Sequence, residues 1–260
     1  MKTLSQQNIA REEHWPKVHC KKGRQQSPIA LSQKTSYLKN LEPIKLENFD
    51  QDYILDVHHL TDLVVLKIPD MCPCSKPKIS GGGLTQTYIL ENLHFHWPSE
   101  HTIDGIRYDM ECHFVLYSTK YRTFKEALAH PFAVAVMAVL NFKTNYTQSN
   151  NFKIIAEATK KLKGTGTKQR TTEPLKFIDF LPYDLEKFFY YEGSFSVPWC
   201  PEYVHWLVFK NTANIQSSYY MDMKQIRGED GELVESNNRT LQNINGRKVI
   251  LRTRWFYINI

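Results

Sequence analysis

Short segments rich in Val, Ile, Leu, Tyr and Phe alternate with turn residues along most of this 260-residue chain. This rhythm constrains the fold more than any other feature of the sequence, because such segments bounded by turn residues predict β-strands. The predicted strands cover residues 53–57, 63–68, 86–97, 107–118, 133–142, 174–178, 190–194, 203–209 and 248–257. No regular alternation of strands with helices is present. The pattern therefore favours a mostly antiparallel sheet over a parallel βαβ architecture.

Helical signals are few and short. Helices are predicted over residues 123–130, 152–164 and 184–189. The first 26 residues are polar and bend at Trp15-Pro16, so they are predicted to form an irregular arm. An apolar content of 42% is enough to bury one sizeable core. We therefore expect a single domain over residues 1–260, mainly β with short surface helices.

Charge and hydropathy argue against nucleic-acid binding and against a membrane span. The formal net charge of +6 is modest, and the basic residues are spread along the chain. This distribution is typical of a solvated surface and not of a nucleic-acid interface. The longest apolar stretch, residues 132–142, is shorter than the roughly 18 residues that a membrane span requires. We expect neither nucleic-acid binding nor a membrane span.

Histidines and acids are concentrated in the stretch LHFHWPSEH, residues 93–101. Successive side chains of a strand alternate between its faces, so His94 and His96 project from the same face. The next predicted strand carries His113, with Glu111 on the same face. Three neutral imidazoles on two strands would give zinc three ligands and leave a fourth position open, as in catalytic sites. The alternative is a group of half-buried polar residues on a sheet, and spacing alone does not decide between the two.

The motifs LHFHW, PSEHTIDG and MECHFV, in this order, resemble the signature of the α-class carbonic anhydrases. The resemblance extends along most of the chain. Further similar segments are QSPI (26–29), GSFSVPWC (193–200) and NNRTLQ (237–242). The loop after the second histidine is short, as it is in plant and bacterial members of that family.

The resemblance implies a large twisted, mostly antiparallel central sheet of about ten strands. It implies the reversible hydration of carbon dioxide to bicarbonate and a proton, with zinc held by His94, His96 and His113. Zinc lowers the pKa of its bound water to about 7 and so provides zinc-bound hydroxide; the carbonic anhydrases are themselves the reference case for this value. The implied partners are this small substrate and inhibitors such as sulfonamides and anions. The oligomeric state stays open.

Three residues match positions that support the zinc ligands in the family. Glu111 is expected to hydrogen-bond His113. Asn92 stands where the family usually has glutamine, so it keeps the amide that would orient His94 but has a shorter reach. His101 matches a buried histidine that supports this hydrogen-bond network. Such partners fix the tautomer and the orientation of the ligand rings.

The resemblance also assigns the residues that would face the substrate. Ser196 replaces the gatekeeper threonine, whose hydroxyl accepts from zinc-bound hydroxide and donates to Glu100. Phe195 replaces a leucine and narrows the pocket, and Val197 replaces a second threonine. The implied apolar wall consists of Val115, Val136, Phe195, Val197 and Trp206.

A histidine with a pKa near 6.5 is suited to carry the product proton to solvent. Alignment of residues 54–63 with the family places His59 at the position of the proton shuttle. Its neighbour His58 replaces a glycine, so either residue could serve.

Five cysteines are present, and none forms the CxxC pairs of a structural zinc site. Cys20 and Cys200 fall where extracellular members of the family place a disulfide. Cys72 and Cys74 flank a proline and are expected to be paired elsewhere or free, and Cys112 is expected in the core.

The compartment is predicted from weaker signals. A disulfide requires an oxidising environment, and glycosylation triplets at residues 145–147 and 238–240 also favour secretion. The first 15 residues lack the apolar stretch of a signal peptide, which favours the cytoplasmic alternative. We expect a secreted protein.

The rival function is a non-catalytic, carbonic-anhydrase-like binding or structural module. Members of that kind typically lose one zinc histidine, whereas this chain keeps all three, together with the acid and a hydroxyl. The residues therefore favour the enzyme.

Overall fold

The computed structural model describes residues 12, 15–69, 71–146 and 149–253. Over these residues it contains sixteen strands and three short α-helices. The strands are β1 (Ala30–Leu31), β2 (Tyr37–Lys39), β3 (Lys45–Glu47), β4 (Asp56–Leu60), β5 (Leu63–Lys67), β6 (Lys78–Ser80), β7 (Tyr88–His96), β8 (Thr102–Ile103), β9 (Ile106–Arg107), β10 (Met110–Ser118), β11 (Val134–Thr144), β12 (Lys168–Arg170), β13 (Phe188–Ser194), β14 (Glu202–Phe209), β15 (Ala213–Gln216) and β16 (Ile250–Arg252). The α-helices are α1 (Phe124–Ala127), α2 (Asn151–Thr159) and α3 (Ser217–Met223). Shorter helical turns are the 3-10 helices Pro73–Ser75 and Phe177–Phe180 and the π-helix Lys17–Lys21.

Thirteen of these strands form one large mixed sheet. Ten of them follow one path, in the order β12-β4-β5-β7-β10-β11-β14-β13-β16-β2, and β3, β6 and β15 pair beside it. Most neighbours are antiparallel; the parallel pairs are β11 with β14, β11 with β15, and β16 with β2. Strands β1, β8 and β9 form a small second sheet. The expected mostly β fold, with a large and mainly antiparallel sheet, is confirmed.

The centre of the large sheet is covered on both sides. All nine residues of β10 are buried. One side, the core face, packs Leu93, Phe95 and Phe114 into the main hydrophobic cluster. The other side, the site face, carries Val115 and Val136 in a second cluster. Because side chains alternate along each strand, β10, β11 and β14 contribute to both clusters, whereas the site face of β7 carries His94 and His96.

The helix predicted over residues 184–189 is wrong. Asp184 Oδ1 accepts a hydrogen bond from the backbone N–H of Glu186 at 2.8 Å, which makes a turn there. Phe188 and Phe189 then begin β13 and pair with β14. Both phenylalanines are fully buried, so sheet pairing overrides the local helical preference.

The other two predicted helices exist but are shorter. In α1 the Thr123 side chain accepts from the backbone N–H of Glu126 at 3.2 Å, which caps a single turn. Pro131 follows, and the residue before a proline is disfavoured in helical conformation. Helix α2 ends at Thr159, and the chain reaches Gly164 at a φ of 136°.

Three predicted strands differ from the observed ones. Tyr53 and Leu175 form only an isolated bridge with each other, so no strand covers residues 174–178. Strand β4 begins at Asp56 and not at residue 53. In the predicted strand 248–257, only Ile250–Arg252 is extended and paired, and residues 254–257 lie outside the described part of the chain.

Candidate metal and catalytic site

The register between β7 and β10 brings three histidines together on the site face. His94 lies directly opposite His113, and Glu111 lies opposite His96. The three imidazole ring centroids are 4.6 to 5.2 Å apart. Their ligand nitrogens all lie within 4.8 Å of one another. Two strands thus supply three convergent imidazoles.

Each of these rings donates one N–H to a fixed acceptor, and this defines its tautomer. His94 Nδ1 lies 2.9 Å from Asn92 Oδ1, so the shorter amide does reach the ring. His96 Nδ1 lies 3.0 Å from the carbonyl oxygen of Asn237. His113 Nε2 lies 2.7 Å from Glu111 Oε1. The remaining nitrogens, Nε2 of the first two rings and Nδ1 of the third, therefore keep their lone pairs.

These three lone pairs fit a tetrahedral cation. His96 Nε2 is buried and has no hydrogen-bond partner among the described residues. Zn–N bonds of about 2.1 Å in tetrahedral geometry place nitrogens roughly 3.4 Å apart, and the nitrogens here all lie within 4.8 Å of one another. A second group, His101, Glu111 and His113, is equally compact, but hydrogen bonds between its own members use its polar atoms.

Glu111 connects this hydrogen-bond network. Its Oε2 accepts the backbone N–H groups of Glu100 and His101, each at 2.8 Å. Its Oε1 accepts from His101 Nδ1 at 2.6 Å and from His113 Nε2 at 2.7 Å. Burial acts to raise the pKa of Glu111, but the two histidines outweigh it and hold this pKa well below its ordinary value. The carboxyl is therefore ionised and fixes the orientation of both rings.

His101 continues the network away from the metal ligands. Its Nε2 lies 2.7 Å from the Tyr191 hydroxyl, which donates to Ser27 Oγ at 2.9 Å. The indole of Trp206 packs against the rings of His101 and His113, with centroids 4.9 and 5.0 Å away. His101 is fully buried. Its ring lies behind that of His113, with the two ring centroids 6.5 Å apart.

Glu100 is buried, and one of its two carboxylate oxygens accepts a hydrogen bond. Its Oε1 accepts the backbone N–H of Arg239 at 2.8 Å. Its Oε2 is buried and has no hydrogen-bond partner among the described residues. The expected hydrogen bond from Ser196, which is itself buried, is therefore not formed here. The free oxygen is an acceptor for a hydroxyl.

Sequence reasoning assigned no role to Asn237, which supports the site from a distant segment. Its backbone carbonyl accepts a hydrogen bond from His96 Nδ1. Its side-chain Oδ1 accepts a second one from the backbone N–H of Trp97, at 2.7 Å. Its Nδ2 donates to the backbone carbonyl of Asp62 at 2.8 Å. Asn237 therefore ties β7 to the turn after β4. The motif NNRTLQ contained the signal, but nothing in it specified this contact.

Three of the five residues of the predicted apolar wall lie together on the site face. Val115 pairs with Val136, and Val136 pairs with Trp206, so the three lie in one row across β10, β11 and β14. The ring of Phe195 meets that of Phe124 edge to face at 6.3 Å. Val197 packs with the cluster that contains Cys200 and Val65. Val115, Val136 and Trp206 are each at most 2% exposed, so this side of the triad is apolar and buried.

The strand register contradicts the assignment of the proton shuttle to His59. His58 pairs with Val65, and Val65 pairs with His94, so these three share the site face. His59 points to the opposite side and is 1% exposed. Burial lowers its pKa. The alternative that the sequence left open, His58, is the histidine that shares a face with His94.

His58 is half-buried and lies two strands from His94, or about 10 Å at the usual strand spacing. Its pKa is lowered, first by burial and then by the charges of Lys67 and Lys168, while Asp56 opposes the shift. Asp56 itself is held by Lys168 and Arg170, whose contacts lower the pKa of that carboxyl to about 2.

The expected disulfide between Cys20 and Cys200 is present, with 5.1 Å between the Cα atoms. It joins the N-terminal arm to the loop that carries Ser196. A second disulfide joins Cys72 to Cys74. Cys112 is free and buried, and burial raises the pKa of its thiol well above the ordinary value.

Among the described residues, no helix is long and apolar enough to cross a membrane.

Fold and site together define a β-sheet protein with a candidate three-histidine metal centre in its middle strands. The sequence profile of the eukaryotic-type carbonic anhydrases matches residues 10–253. The chain therefore belongs to the eukaryotic-type, or α-class, carbonic anhydrase family.

Individual relatives agree with this assignment. Over 240 residues the chain is 30% identical to putative carbonic anhydrase 5 of Caenorhabditis elegans, covering 90% of this chain and 76% of the relative. It is 29% identical over 245 residues to human carbonic anhydrase 6, covering 89% and 75%. It is 29% identical over 253 residues to rat carbonic anhydrase 3, covering 91% and 93%.

Proposed function

We propose that this protein is a zinc enzyme that catalyses the reversible hydration of carbon dioxide to bicarbonate and a proton. The observation that carries the proposal is the convergence of three unprotonated imidazole nitrogens, each fixed by a hydrogen bond at the other nitrogen of its ring. The ligands would be His94 Nε2, His96 Nε2 and His113 Nδ1. A zinc ion held there would supply a hydroxide nucleophile at neutral pH by lowering the pKa of the water that it binds.

The other residues of the site orient the reactants. The open Oε2 of Glu100 lies 3.9 Å from His113 Nδ1, and so beside the place where the nucleophile forms. The Ser196 hydroxyl would donate to this oxygen and accept a hydrogen bond from the nucleophile, which aims its lone pair at carbon dioxide. Val115, Val136 and Trp206 provide the dry surface that an apolar substrate requires.

The product proton would leave through His58. Its ring lies on the site face, half-exposed, and an ordinary histidine pKa near 6.5 suits transfer at physiological pH. Burial lowers the pKa of His58, which would favour release of the proton to buffer. Inhibition by sulfonamides and small anions belongs to the same proposal, because both classes bind metal centres of this type in the family.

We also propose that the protein works in an oxidising, extracellular environment. The support is the presence of two disulfides, one of them buried between the arm and the site loop. Asn145, in one glycosylation triplet, is exposed.

Stopped-flow hydration of carbon dioxide tests the enzyme proposal. The zinc-loaded protein should accelerate acidification, a chelator should abolish the effect, and added zinc should restore it. His94→Ala should lose both bound zinc and activity. A protein that binds one zinc ion per chain through these histidines but does not accelerate hydration would identify the non-catalytic module instead.

The shuttle is tested by a matched pair of variants. In dilute buffer, His58→Ala should lower turnover by about tenfold or more. General acid–base groups typically contribute roughly 100-fold or more. Added imidazole should restore the turnover. His59→Ala should leave the response to buffer unchanged. The reverse pattern would return the role to His59.

A further inference from the structure

The disulfide between Cys72 and Cys74 lies in an exposed turn between β5 and β6. The two cysteines are two positions apart, with only Pro73 between them, and both are exposed. Cys20 and Cys200, in contrast, are 5% and 0% exposed. A thiol in solution therefore has direct access to one disulfide of this protein and not to the other.

The turn is held by contacts that do not involve sulfur. Asn48 Nδ2 donates to the backbone carbonyl of Cys74 at 3.1 Å. The Tyr53 hydroxyl lies 2.8 Å from the carbonyl oxygens of Asn48 and Ser75. Opening the disulfide would therefore leave the backbone of the turn anchored, and the two thiols would stay close enough to close again.

Hydrogen bonds to the two sulfurs distinguish them. The backbone N–H of Cys74 donates to Cys72 Sγ at 3.4 Å. This donor stabilises negative charge on Cys72, and a stabilised thiolate is the better leaving group in thiol–disulfide exchange. The Cys74 sulfur has the more distant donor, the rotatable Ser75 hydroxyl at 3.7 Å. An incoming thiolate is therefore expected to attack Cys74 and release Cys72.

The two disulfides also differ in what must move before a thiol can reach them. Cys20 and Cys200 are buried, so their reduction requires the N-terminal arm or the loop that carries Ser196 to open locally, which costs free energy. Cys72 and Cys74 are exposed, so their reduction requires no such opening. The disulfide between the neighbours is therefore the easier one to open.

We propose that Cys72 and Cys74 form a thiol–disulfide exchange site for small thiols of the glutathione class, separate from the metal site. A thiolate attacks Cys74 Sγ, the bond between the cysteines breaks, and Cys72 leaves as a thiolate that takes a proton from water. A second thiolate then attacks the mixed disulfide and releases Cys74. The net reaction consumes two thiols and yields the protein dithiol and one low-molecular-weight disulfide, so it runs in reverse under oxidising conditions.

Graded mixtures of reduced and oxidised glutathione test this site in the intact, fully oxidised protein. After equilibration, iodoacetamide is added and peptide mass spectrometry measures the alkylation of each cysteine. Cys72 and Cys74 should become half-alkylated at a less reducing ratio than the one that opens Cys20–Cys200, because only the buried disulfide requires local opening. Carbon dioxide hydration should remain unchanged over that range.

Variants assign the order of events. Cys72→Ser should leave Cys74 free to accumulate a mixed disulfide with glutathione, and Cys74→Ser should accumulate less on Cys72. The double variant Cys72→Ser/Cys74→Ser should keep the fold and the hydration rate and show no alkylation in this turn. The proposal is overturned if the turn is alkylated before any reductant is added, or if both disulfides open at the same ratio.

Discussion

Glu111→Gln tests whether the hydrogen bonds behind the triad determine how tightly the metal is held. The carboxylate accepts four hydrogen bonds, two from backbone N–H groups and two from imidazoles. An amide of the same shape accepts at its oxygen only, and its nitrogen donates. Whichever way the amide turns, its N–H₂ group faces two donors.

The size of the effect on zinc affinity or on stability depends on which pair of donors the amide nitrogen faces. If the amide nitrogen faces His101 and His113, the proton of His113 moves to Nδ1, the nitrogen required for the metal. Restoring the binding tautomer then costs one charge-assisted hydrogen bond, about 1.5–3 kcal/mol, or roughly a 10- to 150-fold loss of zinc affinity. If the nitrogen faces the backbone of Glu100 and His101, a similar cost appears in the free energy of unfolding instead.

Two measurements on the same protein therefore test the prediction together. Zinc affinity is measured by competition with a chelator, and the free energy of unfolding of the metal-free protein by urea denaturation. Glu157→Gln, on the exposed side of α2, is the matched control and should change neither. If Glu111→Gln leaves both quantities within about 0.5 kcal/mol of the parent, the hydrogen bonds described here do not position the ligands.

Three further predictions concern the disulfide, the pocket and pH. Cys20→Ser/Cys200→Ser should lower the free energy of unfolding by up to about 5 kcal/mol for so long a loop, measured in urea; a loss below about 1 kcal/mol would refute the chain-entropy argument. Phe195→Leu should widen the pocket and raise kcat/KM for carbon dioxide several-fold in stopped flow, and an unchanged value would show that this ring does not limit access. Burial lowers the pKa of His205 from 6.5 to about 4, so the unfolded chain takes up the proton first and stability falls as pH falls from 6.5 towards 4. Between pH 7 and 5 the loss should be about 2 kcal/mol, and His205→Gln should abolish that part of the urea-measured pH dependence.

The sequence indicated which residues form the candidate site better than it indicated how they are arranged. Side-chain alternation along a single strand places His94 and His96 on one face. This could be predicted without knowing which strands lie next to it. The same rule states that His58 and His59 face opposite ways, but which of them shares a face with His94 depends on how β4, β5 and β7 pair. That register is a tertiary property, and the alignment selected the neighbour that faces away from His94.

Distant contacts limited the rest of the prediction. Asn237 reaches His96 across a sequence separation of 141 residues, and no local pattern encodes such a contact. The misassigned helix at residues 184–189 has the same cause, because Phe188 and Phe189 acquire their partners from β14 and β16. The central strands β7, β10 and β11 were predictable because their apolar runs are long.

The direct opposition of His94 and His113 has a consequence for folding. A slip of one residue between β7 and β10 would turn one strand's ligands to the core face, and the three lone pairs could no longer meet. A metal ion held by the three histidines would therefore bind only chains whose central strands are correctly aligned. At a free concentration 100 times its Kd, it would stabilise that alignment over every competing one by about 2.7 kcal/mol. Under the proposed function, the metal would thus select the correct strand register as well as supply the chemistry.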